Sequence, residues 1–132
     1  MRKNLATVSR IVFLLYIALL CIACFVKFEG NVDFSDTIFG IPKDKIVHFL
    51  MFLPFPPLMY SSFYGMRGKP WSLVLFLFIT LVTGSIIAGG TEIIQGLTDY
   101  RSMDIGDFRA DSTGLLTGCL SVMVYAAVWK KW

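Results

Sequence analysis

Acidic side chains are missing from residues 1–28, 45–91 and 112–132, and all nine fall in the segments between. Charge of either sign is scarce. Only 16% of the 132 residues are charged, 56% are hydrophobic, and mean hydropathy is +0.70. A soluble domain carries roughly a quarter charged residues, so this composition calls for lipid as solvent and leaves no length for a water-soluble domain. Histidine occurs once, as His48, which excludes a site built on several imidazoles. Cysteine occurs three times. Cys21 and Cys24 have the spacing of a redox pair but lie within an apolar run, where thiols act as small hydrophobes, and Cys119 lies in another. Internal repeats, heptads and low-complexity tracts are also absent. The net charge is only +3, and no nucleic-acid partner is expected.

What the chain does have is four apolar stretches, Ile11–Phe28, Ile46–Met66, Trp71–Leu97 and Asp111–Trp129. A helix needs about 20 residues to cross a hydrocarbon core of about 30 Å. The expectation is an all-α integral membrane protein, one domain over residues 1–132. It would be a four-transmembrane-helix bundle with short connections of about 17, 4 and 13 residues. The basic, apolar first stretch has faint small-residue signals near Ala23 and Cys24. Three further spans follow it, which favours an uncleaved signal anchor over a secretory signal.

Seven cations, Arg2, Lys3, Arg10, Arg67, Lys69, Lys130 and Lys131, flank one set of span ends. The other five share the opposite ends with all nine carboxylates. Lys and Arg set orientation, so both termini are expected in the cytoplasm and the acidic connections outside it. Tyr16, Trp71, Trp129 and Trp132 suit interfacial aromatic belts.

Spacing sorts the acids. Pro42 and Asp44 fit the start of the second helix. Asp44 and His48, at i and i+4, share a face, with His48 about 6 Å deeper. Pro54, Pro56 and Pro57 predict a Pro-kinked second helix, since each lacks a backbone donor. In the third span, Gly84, Ser85, Ala88 and Gly89 form two small-xxx-small pairs, and Glu92 continues the Gly84–Ala88 stripe with Gln95 three residues on. In the fourth, Asp111 precedes the Gly114-xxx-Gly118 pair. Both intramembrane acids are therefore predicted to face close helix packing. Asp104, Asp107 and Asp111 step by three and four onto one helical face, with Asp104 or Asp107 suited to be the N-cap. Arg101 and Arg109 are candidate salt-bridge partners. A carboxylate within a membrane helix costs roughly 2.5–3.5 kcal/mol or more, and its default reading is functional.

Taken in order, Asp44-Lys45-x-x-His48-Phe49, Glu92-x-x-Gln95 and Arg101-x-x-Asp104-x-x-Asp107-x-x-Ala110-Asp111-x-x-Gly114 closely resemble the VanZ-like family. These are small four-helix bacterial membrane proteins named for a member linked to teicoplanin resistance. The resemblance covers about Asp44 to Gly118, with Asp111 where the family usually has Asn. It implies an inner-membrane location and an envelope phenotype, without a reaction.

Two functions are expected to compete. In the first, Asp44, His48, Glu92, Gln95, Arg101, Asp104, Asp107 and Asp111 bind an amphipathic partner at the outer leaflet. That partner is a membrane lipid, a lipid-linked cell-wall precursor or a lipoglycopeptide, with Lys43, Lys45, Arg101 and Arg109 on a phosphate headgroup. In the second, His48, Glu92, Asp104 and Asp107 supply acid and base to an intramembrane enzyme. A divalent metal held by His48, Glu92, Asp107 and Asp111 is the one cofactor the donor set suggests, and zinc, manganese and calcium all suit it. Ser102 and Ser112 lack the dedicated base of a nucleophile, which tilts the reading towards binding. A purely structural role for the polar residues is a third reading. Transport ranks below all three, because no polar group continues the path inward.

Overall fold

The computed structural model describes residues 2–25, 37–64, 69–98 and 102–131, with side chains from Ala6 onward. Five helices follow one another: α1 (Arg2–Phe25), α2 (Lys43–Phe52), α3 (Phe55–Phe63), α4 (Pro70–Gly96) and α5 (Ile105–Trp129). A hairpin of two short strands, β1 (Thr37–Ile38) and β2 (Ile41–Pro42), leads into α2. Among the described residues, four helical stretches are long and apolar enough to cross a membrane: Ala6–Phe25, Lys43–Phe63, Pro70–Gly96 and Ile105–Trp129. The fold is an all-α bundle in which α5 packs against α2, α3 and α4, and α1 packs against α3.

Leu14, Leu15, Leu19, Phe78, Ile86, Leu120 and Val128 all point away from the bundle. His48, Glu92, Gln95, Asp107 and Asp111 are buried inside it. This inverts the soluble pattern, where large exposed apolar areas are rare. Between helices lie two apolar clusters. One centres on Leu20, Phe52, Phe55, Ala88 and Leu115, the other on Leu73, Leu77, Cys119, Val122 and Ala126.

The second span is interrupted at Leu53–Pro54. Pro54, Pro56 and Pro57 stand four residues after Leu50, Phe52 and Leu53, so those three carbonyls lose their helical donors. Hydrogen bonding continues on either side, from Leu53 N to Phe49 O and from Leu58 N to Pro54 O, each 3.0 Å. Gly118 of α5 lies against this gap. A Cβ on Gly118 would come within 2.5 Å of the Leu53 carbonyl oxygen, and one on Gly114 within 2.5 Å of the Phe49 carbonyl oxygen. The Gly114-xxx-Gly118 pair thus brings the α5 backbone directly against the α2 backbone. Gly84 plays the matching part on α4, where a Cβ would overlap the Leu115 side chain.

Three sequence expectations shift. The apolar stretch taken as Asp111–Trp129 is only part of a helix that begins at Ile105, after Asp104, one of the two N-caps the spacing offered; Asp107, Arg109 and Asp111 break the apolar run without breaking the helix. The first connection holds a hairpin, which hydropathy does not register. Its turn puts Phe39 and Gly40 at positive φ (53° and 79°), the conformation of the tight two-residue turns that match strand twist. Tyr16, assigned to an interfacial belt, is instead half-buried, and its hydroxyl donates to the Met51 carbonyl inside the bundle. Trp71 and Trp129 are exposed near span ends, while Trp132 and Arg67 lie outside the described residues.

Gly114→Ala and Gly118→Ala press a methyl group on a backbone carbonyl, and each should destabilise the bundle by about 1–3 kcal/mol. Gly90→Ala, where nothing lies within 4 Å, should be neutral or stabilising by up to about 1 kcal/mol. Unfolding in mild detergent, followed by circular dichroism, separates the two classes.

Candidate functional site

The N-termini of α2 and α5 and the C-terminus of α4 meet at one end of the bundle. Asp104 caps α5, its Oδ1 accepting from Gly106 N at 2.7 Å. Its own backbone N–H donates to Glu92 Oε2 at 3.2 Å, tying the start of α5 to the last turns of α4. A Cβ on Gly106 would meet Lys45 Cε at 2.8 Å, so the absent side chain makes room for the lysine stem across the helix start.

Lys45 organises the rim. Its ammonium hydrogen-bonds Asp104 Oδ2 and Asp107 Oδ1 and lies 3.1 Å from Asp44 Oδ2. An ammonium has three donors and no more, and three carboxylates meet them. This replaces the phosphate-holding role expected of Lys45 with an internal one. The same ammonium, helped by the Gly106 amide, holds the Asp104 carboxyl below the usual carboxylate range.

One turn deeper, His48 lies between two carboxylates of α5. Its Nε2 is 3.4 Å from Asp107 Oδ2, and its Nδ1 is 3.0 Å from Asp111 Oδ1. Asp111 is fully buried, and Asp107, His48 and Glu92 are nearly so. Glu92 Oε1 approaches Nδ1 at 3.9 Å and has no hydrogen-bond partner among the described residues. Gln95 donates from Nε2 to the Cys24 carbonyl at 2.8 Å, fastening α1 to the wall of the site. Its own Oε1 is buried and has no hydrogen-bond partner among the described residues.

The helical spacing explains the convergence. Asp107, Asp111, Gly114 and Gly118 form one stripe on α5, and the two glycines bring that stripe against α2. His48 projects from α2 one turn before Phe52, into the space opposite Asp107 and Asp111. Glu92 continues the buried Gly84–Ala88 stripe of α4. His48, Glu92, Gln95, Asp107 and Asp111 thus form an inner group, and Asp44, Lys45 and Asp104 form the rim. Arg101 and Asp99 lie outside the described residues, as do Glu29, Asp33 and Asp36. Arg109 is exposed.

Sequence reasoning missed Gly106 and gave Lys45, which it named, a phosphate to hold where the structure gives it three carboxylates. Gly106 has no motif around it, and only its place two residues after the cap hints at a function. Lys45 was legible as a neighbour of Asp44, since i and i+1 side chains diverge on a helix, but the reach of its four-carbon stem to α5 was not. Chemically the arrangement offers a buried imidazole with a carboxylate on each nitrogen and a third carboxylate beside it. Such a group can orient or move a proton, or hold a cation.

The Asp104–Lys45 pairing is complete above the ordinary Asp value of about 4 and is lost as pH falls through the lower folded value. Wild-type protein should lose thermal stability across that interval, and Lys45→Met should lose the Asp104 share of this acid dependence, read as melting temperature against pH. Asp111→Asn keeps an acceptor for the His48 Nδ1–H and should be nearly neutral. Asp111→Ala removes it and should cost about 1–3 kcal/mol, measured by unfolding in detergent. Comparison with protein-family models, with curated proteins and with solved structures finds no match to this chain.

Proposed function

We propose that this chain is a VanZ-like protein of the bacterial inner membrane. Its four helical stretches cross the bilayer, with both termini in the cytoplasm and the His48 site on the extracytoplasmic side. In lipid the interruption at Leu53–Pro54 is a kink in the second span. Orientation is supported by Arg10, Lys69, Lys130 and Lys131 at the ends opposite the acidic cluster.

The function is to bind an amphipathic lipid or lipid-linked cell-wall ligand at the outer leaflet. The observation that carries this reading is the buried polar group of His48, Glu92, Gln95, Asp107 and Asp111 at one end of a bundle whose outer surface is apolar. An apolar tail would lie along that outer surface while a polar head reaches the rim. With Lys45 saturated by carboxylates, hydroxyl and amine groups suit the rim better than a bare phosphate. The VanZ resemblance adds an envelope phenotype towards a lipoglycopeptide such as teicoplanin.

One observation favours a second reading, an acid–base enzyme acting on an envelope lipid. The Asp111–His48 contact at 3.0 Å is the arrangement in which a carboxylate fixes an imidazole for proton transfer.

Expression in a teicoplanin-sensitive bacterium should raise resistance, and His48→Ala and Glu92→Ala should abolish the gain while both proteins remain folded in the membrane. Native mass spectrometry after gentle extraction should find a co-purifying lipid in wild type and less in both variants. Full resistance from both variants would sink the site assignment. A chemically altered lipid, in place of a retained one, would decide for the enzyme.

A further inference from the structure

At the end of the bundle opposite His48, α3 and α5 leave a groove between them. It has a volume of about 580 Å³ and is lined by Pro57, Tyr60, Tyr64, Val122, Tyr125 and Lys131. Ligand sites run from about 300 to 1,000 Å³. Val122 stands about 10 Å of helix below Trp129, so the groove descends from the helix end into the apolar part of the span. Pro57 and Val122 give its depth a wall of carbon, and the polar atoms gather at its mouth.

The end of α5 builds that mouth. Lys130 takes the left-handed conformation (φ 48°, ψ 43°) that glycine usually fills at a helix end. The bend turns Lys131 back on the helix, its N–H on the Ala126 carbonyl at 2.9 Å. Its carbonyl accepts from the Tyr60 hydroxyl of α3 at 2.7 Å. Its ammonium donates to the Tyr125 hydroxyl at 3.0 Å and lies 5.3 Å from the centroid of the same ring.

Hydrogen-bond capacity is left over on one side only. An ammonium has three donors, and among the described residues Tyr125 alone takes one from Lys131. The Tyr125 oxygen, having accepted, keeps its own proton to give. The hydroxyls of Ser61 and Ser121, also on the groove, donate to the Leu58 and Gly118 carbonyls of their own helices and offer acceptors alone. Tyr64 adds a buried hydroxyl with no hydrogen-bond partner among the described residues. Residues 1–28, 45–91 and 112–132, which supply every helix end on this side, contain no acidic side chain to meet Lys131.

We propose that this groove binds one anionic phospholipid, its phosphate on Lys131 and the Tyr125 hydroxyl and an acyl chain along Pro57 and Val122. Charge-assisted bonds from an ammonium to a phosphate are among the strong ones. A headgroup carrying its own ammonium is disfavoured, because Lys131 already holds the cation seat over Tyr125 and like charges placed together are costly. A free phosphate uses only the mouth, whereas the carbon-lined depth suits a chain. Tyrosines near a span end also serve in interfacial belts, but a belt requires neither the groove nor the returned lysine. The inference shares with the reading above the premise that the helices cross a bilayer, and takes nothing from His48.

The test uses the full chain in mild detergent, with phosphatidylglycerol, phosphatidylcholine of the same chains, or glycerol phosphate added singly, and counts bound molecules by native mass spectrometry. Wild type should retain one phosphatidylglycerol about 5-fold more tightly than phosphatidylcholine and should not retain glycerol phosphate. Lys131→Gln should weaken phosphatidylglycerol binding by about 5-fold or more and Tyr125→Phe by about 3-fold. Ser121→Trp should block the groove to both lipids. All three positions are exposed, so the fold is not at stake. Lys69→Gln removes a charge from the same end but outside the groove, and should bind as wild type does. Equal losses in Lys69→Gln and Lys131→Gln would mean a diffuse attraction and overturn the site. Equal retention of the two lipids, or retention of glycerol phosphate, would overturn it too. Recovery of the expressed chain in the soluble fraction would instead remove the shared premise, and both readings with it.

Discussion

Everything at the acidic end depends on the close approach of two backbones. Gly114 and Gly118 let α5 lie against the Phe49 and Leu53 carbonyls, and that contact sets how far His48 stands from Asp107 and Asp111. Lipid tails are as apolar as leucine, so packing between membrane helices comes from shape and polar contacts, not from burial of apolar surface. Small residues supply the shape and the His48 group supplies the polar contacts. The proline break belongs to the same design. It frees carbonyls of the second span at the level where α5 presents no side chain to obstruct them.

The site is layered by charge. Lys45 joins the two half-buried acids of the rim, Asp44 and Asp104, to the buried Asp107, and a deeper group centres on a single imidazole. Asp107 belongs to both layers, with one oxygen on Lys45 and the other facing His48. A change at the rim is therefore felt at the imidazole through one side chain. Asp104 adds a mechanical link, since its side chain caps α5 and its amide holds Glu92.

Much of this was legible in the residue order, for physical reasons. Helical period placed Asp107, Asp111, Gly114 and Gly118 on one stripe, and Glu92 on the stripe of Gly84 and Ala88. Local rules of this kind hold wherever the helix itself holds. What escaped was non-local. The reach of Lys45 across to α5, the space left by Gly106 and the Tyr16 hydroxyl on Met51 all depend on how helices distant in sequence come to lie. The Asp104 cap of α5 was one of two the spacing offered, though the apolar run marks only the later part of that helix. Apolar run length measures the lipid-facing surface, and the first turns of α5 bury polar groups against α2. Arg101 falls outside the described residues.

Order of synthesis gives the His48–Asp111 contact a further meaning. The two residues are 63 positions apart, and chains grow at about 5–20 residues per second. The ribosome therefore releases the imidazole roughly 3–13 seconds before its carboxylate partners exist. In a bilayer the second span must wait through that interval with a polar face and three proline-freed carbonyls. It can do so at the translocon wall, near the headgroups, or against an assisting protein. The acidic end therefore cannot form until the first turns of α5 have been made.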